Sequence, residues 1–150
     1  MADFIGTTAV GGDMLLKNKQ IFVAEDDVKN RVIFQMILVR HGARLTFERW
    51  GDGALCQLGR LDQVDLIILD LMLAGGISGF QVFDKIRELP EFNAVPIIAV
   101  SAAEPGFAIL EGRRKGFSGF IAKPLDDMLF PQQIASILDG EQIWYAGKRC

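Results

Sequence analysis

Charged and polar side chains follow four apolar stretches of this sequence, and their types could together bind a cation. Glu25 and Asp26 follow the first stretch, Asp70 closes the second, Ser101 ends the third, and Lys123 follows the fourth. Three carboxylates placed close together would repel one another unless positive charge lies between them. Carboxylate oxygens are hard ligands of the kind that Mg²⁺ prefers. The three acidic residues therefore predict a Mg²⁺ site.

The lysine and the serine extend this set beyond cation binding. Lys123 supplies a mobile ammonium donor, and Ser101 supplies a hydroxyl. Phosphoryl transfer depends mainly on positioning and on neutralising the phosphoryl oxygens. A carboxylate, a bound Mg²⁺, an ammonium and a hydroxyl around one point are the groups that this reaction requires. The residues therefore indicate phosphoryl-transfer chemistry.

Each of these residues taken alone also has a simpler structural explanation. The acidic run at residues 25–27 is typical of a helix N-terminus, where carboxylates cap amides and the dipole favours negative charge. Asp70 could cap the turn after its strand, Ser101 could be an ordinary strand-end hydroxyl, and Lys123 with Pro124 could form a turn. The coincidence of four strand ends with complementary chemistry favours the site.

The elements that would position these side chains alternate between strands and helices. We predict strands at 20–24, 43–49, 66–70, 95–101 and 117–122. The segment 43–49 alternates in polarity like a strand, and the apolar runs in the other four are typical of strands buried on both faces of a parallel sheet. The alternation predicts an α/β fold with a doubly wound, five-stranded parallel sheet of order 2-1-3-4-5 and right-handed crossovers. The four polar strand ends would then share one rim of the sheet.

The segments on either side of this region lack a regular period. We interpret residues 1–18 as a flexible N-terminal arm whose Phe4 and Leu16 could dock on the domain, residues 19–139 as the domain itself, and residues 140–150 as an irregular C-terminal tail. The tail is too short to fold into a further domain. We therefore expect a stand-alone unit.

Composition excludes several classes of protein. With 150 residues, half of them apolar, and a net charge of −3, the chain can bury one core and is not globally disordered. The mild negative charge gives no electrostatic basis for binding nucleic acid or an anionic membrane. No signal peptide and no membrane-spanning run is evident, and the two cysteines lack metal or redox spacing. These features predict a soluble, cytoplasmic protein.

Four segments of the chain resemble the receiver domain of bacterial response regulators, the proteins of two-component signalling. The segments FVAEDDVKNR, LIILDLML, AVSA and KGFSGFIAKP occur in the family's order and spacing and cover about residues 19–139. The resemblance implies a flavodoxin-like fold and a protein that catalyses only its own phosphorylation and dephosphorylation. It also implies a histidine kinase or histidine phosphotransfer protein as the phosphodonor. The output would be a surface change that a downstream protein recognises, or a phosphorelay.

The resemblance also implies a role for each residue at the rim. Asp70 would accept the phosphoryl group. Glu25, Asp26 and Asp70 would hold Mg²⁺ together with the backbone carbonyl of Met72. Lys123 would pair with the resulting acyl phosphate.

Further residues follow from the same resemblance, with two departures from the family. Ser101 would bind a phosphoryl oxygen and, with Phe120 at the aromatic switch position, would change conformation; the peptide bond before Pro124 would be cis. Phe120 lacks the hydroxyl of the commoner Tyr, so the switch would act by packing alone. The loop after the acceptor has Ala74 in place of the usual Pro, and Gly79 comes one residue late. This loop is therefore predicted to be longer and more flexible.

Two other functions compete with this one. Haloacid-dehalogenase-like phosphatases also use a strand-end Asp with Mg²⁺, but they need a second Asp at the position of Met72. Neither a P-loop nor a dinucleotide-binding glycine motif occurs in the chain. A phosphorylation-independent, receiver-like interaction module remains the alternative, although such modules usually lack the acceptor, the acid pair or the lysine.

The first predicted helix, at 28–42, has two apolar stripes. The stripe predicted to face the core consists of Ile33, Phe34, Ile37 and Leu38. The stripe on the opposite side consists of Val28, Val32, Met36 and Val39. It could be a plain exposed apolar surface, or it could be covered by the N-terminal arm, by the tail around Trp144, or by a second copy of the chain. We favour a homodimer through this second stripe.

The helix predicted at 104–116 contains residues that are poor helix formers. Pro105, Gly106 and Gly112 fall within it. Because glycine and proline disfavour helix interiors, we expect this helix to be weak and to move during switching.

Overall fold

One parallel sheet positions the rest of this chain. The computed structural model describes residues 14–51 and 53–148, with strands β1 (Gln20–Ala24), β2 (Arg44–Glu48), β3 (Leu66–Leu69), β4 (Ile97–Ser101), β5 (Gly119–Ala122) and β6 (Ile143–Tyr145). The helices are α1 (Val28–Val39), α2 (Ala54–Gly59), α3 (Gly79–Arg87), α4 (Pro105–Lys115) and α5 (Phe130–Leu138). The strand order is β2-β1-β3-β4-β5-β6, and every neighbouring pair is parallel. The predicted doubly wound α/β fold and the order of its first five strands are confirmed.

The prediction of five strands is wrong by one, because part of the C-terminal tail is a strand. The segment Ile143–Tyr145, which we interpreted as irregular, pairs with β5, and Trp144 lies opposite Phe120. A run of three residues is too short for its period to distinguish strand from loop. The strand exists because it satisfies the backbone groups along the edge of β5.

The two faces of the sheet bury two separate apolar clusters. Successive side chains of a strand point to opposite faces, so Phe22 contributes to the cluster under α2, α3 and α4, whereas Ile21 and Val23 contribute to the cluster under α1 and α5. Burying a large apolar side chain contributes about 1.5–3 kcal/mol. The two clusters therefore hold the carboxyl ends of β1, β3, β4 and β5 in fixed positions.

The segment interpreted as an N-terminal arm is in part packed against the domain. Leu16 is fully buried in the cluster under α1 and α5, and its amide donates to the carbonyl of His41 at 2.8 Å. Gly42, which has a φ of 95°, leaves room for this segment, because a Cβ there would lie 2.8 Å from the Cα of Lys17. Phe4 lies outside the described residues.

Helix α1 has one buried and one exposed apolar stripe. Phe34, Ile37 and Leu38 are buried, but Ile33 is 42% exposed, so its assignment to the core is wrong. At 100° per residue, Ile33 lies about 90° from the centre of the buried stripe. The opposite stripe is exposed: Val28 by 72%, Val32 by 51%, Met36 by 62% and Val39 by 39%. The described residues of the tail do not cover this stripe, because Ile143–Tyr145 pairs with β5.

Helix α4 is better built than its composition suggests. Pro105 is its first residue, where proline's fixed φ is favourable and no amide hydrogen is needed. The carboxylate of Glu104 accepts hydrogen bonds from the amides of Gly106 and Phe107, both at 2.9 Å, and these bonds lower the pKa of Glu104. The expectation that Pro105 weakens this helix is therefore wrong. No helix in the described part of the chain is long and apolar enough to cross a membrane.

Candidate functional site

The carboxyl ends of β1, β3, β4 and β5 form one rim, and four of the predicted side chains are connected there. Lys123 Nζ donates to Glu25 Oε1 at 2.8 Å and to Asp70 Oδ2 at 3.1 Å. Ser101 Oγ donates to Asp70 Oδ1 at 2.9 Å. Glu25, Asp70 and Ser101 are buried, with exposures of 3%, 8% and 0%. We call this network the rim site.

Backbone amides complete the surroundings of Asp70. The amide of Met72 donates to Asp70 Oδ1 at 3.0 Å, and the amide of Ala103 donates to Ser101 Oγ at 3.2 Å. The Asp70 carboxylate, which accepts hydrogen bonds from Met72, Ser101 and Lys123, is held in one orientation. Sequence reasoning missed both amides, because almost every residue carries one and no residue type marks their position.

The three consecutive acidic residues have different structural roles. Asp27 caps α1, since its Oδ1 accepts from the amides of Lys29 at 2.8 Å and Asn30 at 3.3 Å. Asp26 Oδ2 instead accepts from the amide of Ala74 at 2.6 Å, across the rim. The other carboxylate oxygen of Asp26 is buried and has no hydrogen-bond partner. Helix capping therefore explains Asp27 but not Asp26.

Lys123 joins the strand end to the carboxylates. Burial lowers its pKa, but the hydrogen bond to Glu25 and the charge of Asp70 outweigh burial and raise the pKa of Lys123 above its ordinary value. Lys123 is therefore an ammonium at neutral pH. Its amide donates to the carbonyl of Ser101 at 3.0 Å, and its peptide bond to Pro124 is cis.

The loop between β3 and α3 closes tightly behind Asp70 despite its additional residue. Gly75 and Gly76 take positive φ angles of 76° and 73°, which lets the chain turn within the loop. The amide of Gly79 donates to the carbonyl of Leu71 at 3.1 Å. A Cβ on Gly79 would lie only 2.3 Å from the carbonyl oxygen of Asp70. The late glycine is therefore required by the close approach of α3 to the strand end.

The rim site fits a divalent cation in its chemistry. Within residues 14–51 and 53–148, no group of three His, Cys, Asp or Glu side chains is arranged to hold a metal ion. In this arrangement the Lys123 ammonium is hydrogen-bonded to Glu25 and Asp70. The buried, unpaired oxygen of Asp26 nevertheless needs a partner, since an isolated buried carboxylate oxygen is unfavourable. Mg²⁺ prefers such oxygen ligands.

The two residues assigned to the switch are both in the interior. Ser101 is fully buried against Asp70, and Phe120 is 1% exposed in the cluster under α2, α3 and α4. Directly across from Phe120 in the sheet lies Trp144.

A groove lies beside Lys123 that sequence reasoning did not identify. It has a volume of about 300 Å³ and a mostly apolar lining that includes Ile33, Ala102 and Pro124. The only sequence signal for it is Ile33, at the margin of the buried stripe of α1.

Comparison with known proteins identifies relatives of the chain. A family described as the response regulator receiver domain matches residues 21–135. The chain is 26% identical over 122 residues to the protein PilH of Pseudomonas aeruginosa. The aligned region covers 81% of this chain and 98% of PilH. The chain is also 30% identical over 118 residues to the transcriptional regulatory protein AfsQ1 of Streptomyces coelicolor. That aligned region covers 79% of this chain and 50% of AfsQ1.

Solved structures give the same result at the level of the fold. The receiver domain of sensor histidine kinase PA1611 from Pseudomonas aeruginosa, solved with magnesium in its active site cleft, has a TM-score of 0.70 and 25% identity over 83% of this chain and 99% of that one. A putative response regulator from Chloroflexus aurantiacus has a TM-score of 0.74 at 24% identity, over 82% and 99% of the two chains.

Proposed function

This chain belongs to the response-regulator receiver domain family, and we propose that it accepts a phosphoryl group on Asp70 in two-component signalling. The observation that carries this proposal is the pair of contacts on the Asp70 carboxylate. One oxygen is bonded to the Lys123 ammonium and the other to the Ser101 hydroxyl, in a site where Asp70 itself is 8% exposed. Positive charge and a hydroxyl donor are thus in place beside the group that would bind phosphorus.

The proposed reaction transfers phosphorus from nitrogen to oxygen. An oxygen of Asp70 attacks the phosphorus of a phosphohistidine on a histidine kinase or histidine phosphotransfer protein. The O–P bond forms as the P–N bond breaks, and the imidazole keeps the bonding electrons and takes up a proton. Lys123 and Ser101 then donate to phosphoryl oxygens, where they offset the charge of the transferred group. The protein would catalyse only this step and the later hydrolysis of its own acyl phosphate.

We assign the Mg²⁺ of this reaction to Glu25, Asp26, Asp70 and the carbonyl of Met72. The ion would supply positive charge to the phosphoryl oxygens. The unpaired buried oxygen of Asp26 supports the assignment, as does the magnesium in the cleft of the PA1611 receiver domain. Because Lys123 now bonds Glu25, loading the ion would require this lysine to release that carboxylate.

The output would be a changed surface or a phosphorelay in the cytoplasm. Ser101 and the loop that follows it lead directly into α4, so a shift of Ser101 toward a phosphoryl oxygen would move the start of that helix. Phe120 is already buried, so it would follow such a shift by repacking in place. A downstream protein that contacts α4 would detect the change, which is a local electrostatic event acting on a larger element.

We further propose that the exposed stripe of α1 forms a homodimer contact. Val28, Val32 and Met36 are each more than half exposed, and burying such side chains contributes about 1.5–3 kcal/mol apiece. In sedimentation, Val32→Glu with Met36→Lys should convert a dimer to a monomer. Lys29→Glu with Gln35→Lys, at positions of α1 that are already polar, is the control.

The phosphorylation itself is tested with acetyl phosphate and Mg²⁺. Intact-mass measurement should show the addition of one phosphoryl group to the wild type and none to Asp70→Asn. The matched control is Asp27→Asn, which keeps a good helix cap beside the site and should be phosphorylated normally. Modification that persists in Asp70→Asn would refute the acceptor. A wild type that no donor modifies would favour the phosphorylation-independent interaction module.

A further inference from the structure

The C-terminal strand β6 lies against two glycines whose missing side chains make room for it. A Cβ on Gly119 of β5 would lie 2.4 Å from the carbonyl oxygen of Ile143, and its three nearest atoms would all belong to Ile143. A Cβ on Gly112 of α4 would lie 3.4 Å from the ring of Trp144. The guanidinium of Arg113 lies 4.8 Å from the centre of the same ring. We call Gly112 and Gly119 the β6 seat, because α4 and β5 have no side chain at these two positions, where β6 packs against them.

Beyond β6, the chain runs along the loop that carries Lys123. A Cβ on Gly147 would lie 3.7 Å from the Cβ of Ala122, so the two backbones are neighbours. Lys148 Nζ forms an ion pair with Asp126 Oδ2 at 3.0 Å. These contacts are made just before and just after Lys123 in the sequence. The last four described residues and this loop enclose a cavity of about 360 Å³.

The end of β5 is therefore held on two sides. On the β4 side, the amide of Lys123 donates to the carbonyl of Ser101 at 3.0 Å. On the other side, its neighbour among the described strands is β6. A lysine side chain is long and flexible, so its ammonium reaches two particular carboxylates only if its backbone is fixed. A strand that fixes this backbone would act on the chemistry through Lys123.

We infer that the C-terminal segment 143–148 is a positioning element for Lys123, which keeps the ammonium in register with Asp70. This inference rests on the proposed function, because the role of Lys123 is to neutralise the phosphoryl group. A displacement of about 1 Å can lower the rate of a positioned reaction by up to about a hundred-fold. Loss of the segment would slow phosphorylation while leaving the carboxylates of the other strands in place.

The variant Gly119→Ala tests this inference without touching the rim site. Its added methyl group meets Ile143 and should displace β6, whereas Gly59→Ala, with nothing within 4 Å of its Cβ, is the control. With acetyl phosphate, the single-turnover rate constant of Gly119→Ala should fall roughly ten-fold. The Mg²⁺ concentration for half-maximal rate should fall, because an ammonium displaced from Glu25 no longer competes with the ion. A merely structural role would lower the fraction of protein that reacts and leave the rate constant of that fraction unchanged.

Two further measurements keep the outcome clear. In a Trp50→Phe background, a red shift of the Trp144 fluorescence in Gly119→Ala would report that the strand has left its seat. If the emission shifts and the rate constant equals that of Gly59→Ala, the inference is wrong; an unshifted emission would also overturn it. Lys148→Met, which removes only the ion pair to Asp126, should slow the reaction by a smaller factor, about two-fold.

Failure of the proposed function remains distinguishable from failure of this inference. If the wild type is not phosphorylated, hydrogen exchange at the Lys123 amide, which donates to the carbonyl of Ser101, replaces the rate. Displacement of the end of β5 should speed this exchange in Gly119→Ala. An exchange rate equal in Gly119→Ala and Gly59→Ala would overturn the inference whether or not phosphorylation occurs.

Discussion

The rim site and the β6 seat lie at neighbouring places in the sheet and are constructed in opposite ways. At the rim, Asp70, Ser101 and Lys123 contribute polar atoms, joined by hydrogen bonds of 2.9 and 3.1 Å. At the seat, Gly112 and Gly119 contribute nothing but space. A polar residue at the end of an apolar run indicates that a polar or charged partner lies nearby. A glycine gives no indication of what fills the space beside it. The rim should therefore respond to lost charge, and the seat to added volume.

The largest effect should come from removing charge at the rim. Lys123→Met keeps much of the side-chain volume but leaves Glu25 and Asp70 buried without their shared cation. We expect the phosphorylation rate to fall about a hundred-fold, as on loss of a charge-stabilising donor, and the free energy of unfolding to fall by about 3 kcal/mol. Mg²⁺ should restore more stability to Lys123→Met than to the wild type, as measured by urea denaturation. Phosphorylation at the wild-type rate would remove Lys123 from the mechanism.

A volume change at the rim tests whether the rim, like the β6 seat, also responds to added volume. Gly79→Ala places a methyl group against the carbonyl of Asp70, and overpacking of this kind costs about 1–3 kcal/mol. Gly59→Ala, at an open helix position, should instead be neutral or stabilise the protein by about 0.5–1 kcal/mol. Chemical denaturation of the two variants measures the difference. Equal stabilities would show that the close approach of α3 to the strand end is not required.

The lifetime of the acyl phosphate should change by a smaller factor when a residue beside Asp70 is replaced. Met72 and Ala103, two residues beyond Asp70 and Ser101, cannot orient a water molecule, and the Met72 side chain is 58% exposed at the rim. Replacing Met72 with Asn should speed hydrolysis roughly ten-fold, because a polar group could then position the attacking water. Decay of the phosphorylated mass measures this rate. Met128→Asn, at a more exposed position away from Asp70, should leave the rate unchanged.

The smallest effect is expected beside the β6 seat. The amide of Leu129, the ammonium of Lys148 and the amide of Met128, in that order, hold the pKa of Asp126 below its ordinary value. Stability from the ionised Asp126 is thus present above its ordinary pKa and is lost as pH falls through the lowered pKa. Asp126→Asn should lower the thermal midpoint slightly at neutral pH and not at all in strong acid. A difference in thermal midpoint between the two proteins that grows as the pH falls would contradict this prediction.

The sequence predicts the sheet order because strands and helices alternate along it, and it predicts the rim because the residue types at the strand ends stand out locally. Asp70, Ser101 and Lys123 each end or follow an apolar run, and a parallel sheet brings such ends together. Their roles in phosphorylation remain predictions. Pro105 was misinterpreted because a proline is unfavourable within a helix and favourable at its first position, and only the cap of Glu104 fixes where that position is.

The sixth strand could not be predicted for a different reason. Ile143–Tyr145 has three residues and no measurable period, and what makes it a strand is the unpaired edge of β5. Gly119 supplies the necessary space, but a glycine in a strand can equally mark a bulge or a bend. Long-range pairing of this kind leaves its evidence in two distant segments, neither of which is informative alone.

The sixth strand also bears on how the protein behaves at high concentration. Without it, β5 would present a bare edge of fully buried, apolar composition, which is a template for pairing between molecules. The strand that covers this edge is only three residues long, and Gly140 and Gly147 turn the chain with φ angles of 100° and 104° on either side of it. An edge strand this short presents few unpaired backbone groups with which another chain could pair. Removal of residues 143–148 would therefore expose the edge of β5 and make the domain prone to aggregate.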